Sequence, residues 1–210
     1  MASRTRLIAA GSAALGLAGL AAALYGTGGL AGNSTASACA ADKGAVARMA
    51  SLARGEVAAV AVPGAPKPLP EIAFQGPDGE AKSLADFRGK TLLVNLWATW
   101  CAPCRREMPA LDKLQAELGG DAFEVVAISL DTRGGDKPRA WLKENGIERL
   151  AFHADPQGRL LPVLQRSGHV VGLPTSILVG PTGCEIGVLK GPAEWASPDA
   201  MALVKAALGR

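Results

Sequence analysis

Residues Thr91–Trp97 form a nearly apolar run interrupted by Asn95, and Cys101 and Cys104 follow at the head of a helix-forming stretch. Seven such residues between turn-forming neighbours predict a strand buried on both faces. Beyond them Leu111, Leu114 and Leu118 recur at helical spacing, so a helix is expected from about Cys101. Pro109 lies inside that helix and should kink it. A strand covered on both sides needs helices on both sides, which confines the chain to an α/β architecture.

The rest of the chain extends this pattern. Residues 71–75 and 80–84 flank Gly76-Pro77-Asp78-Gly79 and predict a β-hairpin, with Ser83 and Asp86 opening one helical turn after it. A second buried strand is expected over 123–130, and a helix over 138–145 with Pro138 first and Gly146 just past its end. A short strand over 150–153 and a helix over 159–166 come next. Strands over 175–179 and 184–189 then flank the turn Pro181-Thr182-Gly183, and Ser197-Pro198-Asp199 starts a last helix. Upstream, residues 42–54 predict a short helix with a weak apolar face, and 62–70, with four prolines, an extended connector.

The domain plan is thus an N-terminal segment over 1–30, a linker with a short helix over 31–67, and a catalytic domain over 68–210. Arg4 and Arg6 precede a charge-free stretch over 7–30, rich in Ala, Leu and Gly. That stretch is long enough to cross a bilayer, and the charges before it fit the cytoplasmic side. It is read as a single-pass inner-membrane anchor with the catalytic domain in the periplasm; a cleaved signal peptide is the other reading. The net charge of +3, the single Tyr and the absence of a basic run give no case for nucleic-acid binding.

The chemistry is carried by Cys101-Ala102-Pro103-Cys104. If Cys101 caps the helix, its sulfur meets unpaired backbone N–H groups and the positive end of the helix dipole. Both favour the thiolate, the species that attacks disulfides. Cys104, nearly one turn deeper, is placed to resolve the mixed disulfide, and Pro103 stiffens the first turn without costing a hydrogen bond. A half zinc site is the competing reading, but Cys39, Cys184, His153 and His169 supply no second tight pair.

The string Trp-Ala-Thr-Trp-Cys-Ala-Pro-Cys-Arg-Arg-Glu over 97–107 resembles the thioredoxin superfamily, specifically its TlpA/ResA-like branch of extracytoplasmic thiol:disulfide interchange proteins. The resemblance spans about 68–210. It implies a thioredoxin-like fold, a mixed sheet flanked by helices and preceded by a β-hairpin. It implies a cis bond between Leu173 and Pro174 in Gly172-Leu173-Pro174-Thr175, opposite the cysteines. It implies that the backbone there, with Trp100 and Pro103, docks the substrate peptide. It implies that Glu107 moves protons at the cysteines, whereas the pattern alone allows an ordinary solvated glutamate. Arg105 and Arg106 are read as solvated.

Cys39 and Cys184 remain. In an exported chain two leftover thiols invite a structural disulfide. Lipidated Cys39 with free Cys184, and two unpaired thiols, are the alternatives. No cofactor is called for. The Ala-Pro dipeptide resembles the reducing branch, so the expected activity is protein-disulfide reduction. The resemblance implies clients such as apocytochrome c, or an oxidase copper-site protein or its metallochaperone, and a CcdA- or DsbD-like membrane electron donor. Two rivals stand beside it. One is a copper metallochaperone using Cys101, Cys104 and His169; the other is a thiol peroxidase, with Thr99 near the reactive cysteine.

Overall fold

The computed structural model describes residues 38–132 and 136–210. Its strands are β1 (Lys67–Pro68), β2 (Ala73–Gln75), β3 (Ala81–Ser83), β4 (Thr91–Trp97), β5 (Phe123–Ser129), β6 (His153–Ala154), β7 (Thr175–Val179) and β8 (Cys184–Lys190). Its α-helices are α1 (Lys43–Met49), α2 (Ala102–Leu118), α3 (Lys137–Glu144), α4 (Leu160–Arg166) and α5 (Pro198–Leu208). The strands form one sheet in the order β1-β8-β7-β4-β5-β6-β2-β3. β4 runs parallel to β5 in register from Thr91↔Phe123 to Trp97↔Ser129, and antiparallel to β7 from Leu92↔Val179 to Leu96↔Thr175. A parallel pair needs a long crossover, and α2 provides it.

All seven residues of β4 are buried, which is why its sequence reads as an apolar run rather than an alternation. Leu93 and Trp97 face a layer with Met108, Leu111 and Leu114 of α2 and Leu203 and Val204 of α5. Leu92, Val94 and Leu96 face the opposite layer, with Leu160 and Leu164 of α4 and Phe87. Asn95 shares the parity of Leu93 and Trp97, so its side chain enters the α2 layer.

Most sequence-derived elements are present, some shortened. The hairpin is β2–β3, and Ser83 and Asp86 form a capping box on a 3-10 turn over Leu84–Phe87. The strand expected over 150–153 is confined to His153–Ala154. There, Asp112 Oδ1 accepts the backbone N–H groups of Arg149 (2.7 Å) and Leu150 (3.1 Å), so these amides do not join a ladder. The helix expected over 42–54 is a 3-10 turn at Ala40–Asp42 followed by α1, which ends at Met49. The next amides turn back on shorter rings, Leu52 N–H to Met49 O and Arg54 N–H to Leu52 O. Within the proline-rich connector, Lys67–Pro68 pairs with β8 as an edge strand, the position in a sheet where proline is tolerated.

From Cys39 on, the stretch read as linker packs into the α2 layer. Met49, Val57 and Val60 are buried there. Arg48 donates from Nε to Ala206 O (2.7 Å) and from Nη2 to Ala207 O (3.2 Å), a cation on the last carbonyls of α5. The expected anchor over 1–30 lies outside the described residues. Among the described residues no helix is long and apolar enough to cross a membrane.

Candidate redox site

Cys101 sits at the end of the β4–α2 connection and is the N-cap of α2, with extended backbone at φ −90° and ψ 100°. Its Sγ accepts the backbone N–H of Cys104 at 3.3 Å. This is the cap geometry expected from the sequence: one of the helix's unpaired donors is turned on the sulfur. Pro103 falls in the first turn, where its missing N–H leaves no bond unmade. Cys101 and Cys104 are joined as a disulfide, with a Cα–Cα distance of 5.3 Å. Cys104 is fully buried and Cys101 is 6% exposed, so an incoming partner can reach only the first sulfur.

The connection before Cys101 is held by a residue the sequence did not single out. Asp131, just past β5, accepts the Thr99 N–H at 2.9 Å on one carboxylate oxygen and the Thr99 hydroxyl at 2.6 Å on the other. Ser129 also donates to it, at 2.9 Å. Leu130 N–H bonds Trp97 O at 2.8 Å, so the ends of β4 and β5 are tied on both sides of this carboxylate. Trp100 then stands 66% exposed beside Cys101.

Opposite, the Leu173–Pro174 bond is cis. Pro174 is buried and Leu173 half-buried, and Val171 is 71% exposed. Trp100 and Val171 are the large apolar side chains most open to solvent among the described residues, and they belong to the two loops expected to dock a partner. Pro174 O accepts the N–H of Gly191 (3.0 Å), which fixes the start of the 191–197 loop.

Glu107, three residues beyond Cys104 on α2, is 3% exposed rather than solvated. Asn95 Nδ2 donates to its Oε1 at 2.7 Å, and Ala193 N–H donates to its Oε2 at 3.2 Å. Asn95 Nδ2 also donates to Ser176 Oγ at 3.0 Å. Burial pushes the Glu107 carboxyl up to about 7, against the pull of the Asn95 and Ala193 hydrogen bonds, which favour the charged form. Neither Ser176 nor the Ala193 amide was visible in the sequence as part of this site. Their placement follows from the Asn95↔Ser176 register and the course of the 191–197 loop.

Cys39 and Cys184 are joined as a second disulfide, with a Cα–Cα distance of 5.7 Å. The bond lies at the start of β8, whereas the redox pair lies beside the start of β7, where Thr175 pairs with Lys190 at the end of β8. Asp42 accepts the Thr182 hydroxyl beside it. His169 is held in the same far region, Nδ1 2.5 Å from Glu185 Oε2, and is not brought to the cysteines. Among the described residues no three His, Cys, Asp or Glu side chains converge as a metal site. Arg105 and Arg106 are exposed.

Residues 66–184 match the AhpC/TSA family model. The chain is 50% identical over 60 residues to the thioredoxin-like protein YneN of Bacillus subtilis, a match covering 29% of this chain and 35% of that protein. It is 28% identical over 125 residues to the thiol-disulfide oxidoreductase ResA of Bacillus thuringiensis subsp. konkukian, covering 60% of this chain and 69% of that one. A thioredoxin-family thiol:disulfide interchange protein from Chlorobium tepidum TLS superposes with a TM-score of 0.55 at 31% identity, over 69% of this chain and 97% of its own. With a family match over more than half of the chain and a capped Cys-Ala-Pro-Cys pair at its centre, the chain belongs to the AhpC/TSA family and, within it, to the thioredoxin-like thiol–disulfide oxidoreductases.

Proposed function

We propose that this protein is a membrane-anchored extracytoplasmic reductant of protein disulfides. The observation that carries the chemistry is the asymmetry of the pair: Cys101 caps α2, and Cys104 is sealed beneath it with a buried carboxyl three residues further on. In the reduced protein the helix N-terminus favours the Cys101 thiolate. That thiolate attacks one sulfur of a client disulfide, the client S–S bond breaks, and the other client sulfur leaves as a thiolate that takes a proton from water. Cys104 then gives its proton to the Glu107 carboxylate and attacks Cys101 Sγ. The Cys101–Cys104 bond forms, the mixed disulfide breaks, and the client's second sulfur leaves reduced. Two electrons pass from the protein to the client.

The reducing direction is supported by the Ala-Pro dipeptide, which resembles the reducing branch, and the dithiol chemistry by the relatives named thiol-disulfide oxidoreductase ResA. The extracytoplasmic location is supported by Arg4 and Arg6 ahead of the apolar stretch over 7–30, and by the Cys39–Cys184 bond, which suits an oxidising compartment. Such a reductant needs electrons from the cytoplasm, so a CcdA- or DsbD-like membrane donor completes the cycle. The clients proposed are proteins whose cysteines must be reduced before they take up haem or copper: apocytochrome c, or an oxidase copper-site protein or its metallochaperone.

The test is the reduction potential of the Cys101–Cys104 couple in the full chain, followed by alkylation and mass spectrometry in redox buffers so that it is read separately from Cys39–Cys184. A potential more negative than about −220 mV is expected. A value near −120 mV, that of a strong oxidant, would overturn the direction and the proposed clients together.

A further inference from the structure

Asn95 is an odd residue for its place. It sits in the middle of a strand whose seven residues are all buried, where Leu or Val would pack without polar cost. Its Nδ2 serves two partners, Glu107 Oε1 and Ser176 Oγ, while its Oδ1, equally buried, has none. A buried acceptor without a partner is a standing cost to the fold. A side chain retained at that cost has a use for both ends of its amide.

The partners show what the use is. As a carboxylate, Glu107 only accepts, and Asn95 Nδ2 on one oxygen and the Ala193 N–H on the other suit it. As a carboxylic acid it must also donate. Oε2 is held by a backbone N–H that cannot turn, so Oε1 is the oxygen whose neighbour can rearrange, and a proton shared on that side meets a donor, Nδ2, as the amide now stands. Half a turn of the Asn95 amide removes this clash by putting Oδ1 in the place of Nδ2. Ser176 follows without loss, because a hydroxyl accepts from Nδ2 in one state and donates to Oδ1 in the other. Each orientation leaves one end of the amide unpaired, so the proton on Glu107 decides between them.

We propose that Asn95 is a two-way positioning residue, whose amide turns as Glu107 gains or loses its proton and so supports both forms of the carboxyl beneath Cys104. The inference rests on the reading of Glu107 as the proton acceptor for Cys104. On α2, Cys104 stands three residues before Glu107 and the intervening Arg105 and Arg106 are exposed; β4 meets the carboxyl with the neutral Asn95, backed by Ser176 of β7, and the 191–197 loop meets it with the Ala193 amide. The turning amide lets a buried carboxyl load and unload near neutral pH while its layer stays closed.

The oxidised full chain allows a clean test, since neither active-site thiol can titrate. With labelled asparagine and glutamate, NMR follows the Glu107 carboxyl carbon and the cross-relaxation between the Asn95 Hδ2 protons and the Ser176 Hβ protons across pH. The expected result is a carboxyl titrating near 7, with the Asn95–Ser176 cross-peaks present above that midpoint and lost below it. Glu107→Gln should abolish the pH dependence of the cross-peaks. Cross-peaks that persist at all pH while the carboxyl titrates near 7 would overturn the turning amide and leave the Glu107 reading intact. A carboxyl titrating in the ordinary glutamate range would overturn both.

Discussion

Glu107 combines a cost and a use. Its folded pKa, about 7, lies above the ordinary value of 4.5, so the fold binds the proton more tightly than the unfolded chain does. The contribution to stability is fully present below about pH 4.5 and is lost as pH rises through 7, amounting to roughly 3 kcal/mol. Glu107→Gln should therefore flatten the thermal stability profile over that window, which melting curves at stepped pH would read. If Glu107 takes the Cys104 proton as proposed, the same variant lacks the base for the resolving step, and the mixed disulfide should persist about 100-fold longer, with the first attack unaffected. An unchanged lifetime in rapid-quench trapping would remove Glu107 from the proton route. Asp131 acts at the other end of the redox loop. Asp131→Ala strands the Thr99 N–H and hydroxyl and should lower stability by about 1–3 kcal/mol. It should also lower kcat/KM for a disulfide client about 10-fold by loosening the loop that aims Cys101, with the potential of the pair little changed. At this scale the sequence shows the cysteines by their spacing and Glu107 only by resemblance. Asp131 and Ser176 were not legible, because their roles arise where β4 meets its neighbours β5 and β7, and no local pattern marks such contacts.

At the scale of elements, strands and helices with uniform environments were the legible ones. β4 and α5 declare themselves by a continuous apolar run and by a Ser-Pro-Asp cap, and Ser197 Oγ indeed accepts the N–H of Ala200 at 3.2 Å. β6 is shorter than the pattern predicts because a side chain, Asp112, takes backbone donors that a longer strand would use. This short strand buries His153 edge-on against the rings of Phe74 on β2 and Phe87. Burial holds the His153 pKa below the usual histidine value; the Glu124 carboxylate opposes this and Lys82 adds to it. A histidine kept neutral in the fold charges first in the unfolded chain, so its effect is absent above the unfolded value of about 6.5 and destabilises progressively as pH falls below it. His153 and Glu107 thus tilt stability in opposite directions. His153→Phe should remove the acid-side loss, and hydrogen exchange at pH 5 should show slower opening of the β2–β3 hairpin than in the parent. Equal exchange in both proteins would mean that the hairpin does not feel this group.

For the whole molecule, the two disulfides divide the labour. Cys101–Cys104 closes a ring of a few residues at a helix start and is made to open. Cys39–Cys184 spans 145 residues of sequence and ties the segment before α1 to the start of β8. Asp42 of that segment is fastened again by Thr182, and α1 itself by Arg48 on the last carbonyls of α5. Met49 at the end of α1 and Val57 and Val60 after it are buried in the same core. Chain-entropy arguments assign a loop of that length about 5 kcal/mol of destabilisation of the unfolded state, and removing native disulfides from small domains costs about 2–5 kcal/mol. The double variant Cys39→Ser, Cys184→Ser should thus lose stability on that order in urea unfolding. Because the bond lies at the opposite end of β8 from the redox pair, the Cys101–Cys104 potential should stay within about 30 mV of the parent value, roughly 1.4 kcal/mol for two electrons. A large shift in potential with little loss of stability would reverse the division, making the distant disulfide part of the redox machinery and Cys101–Cys104 only one half of it.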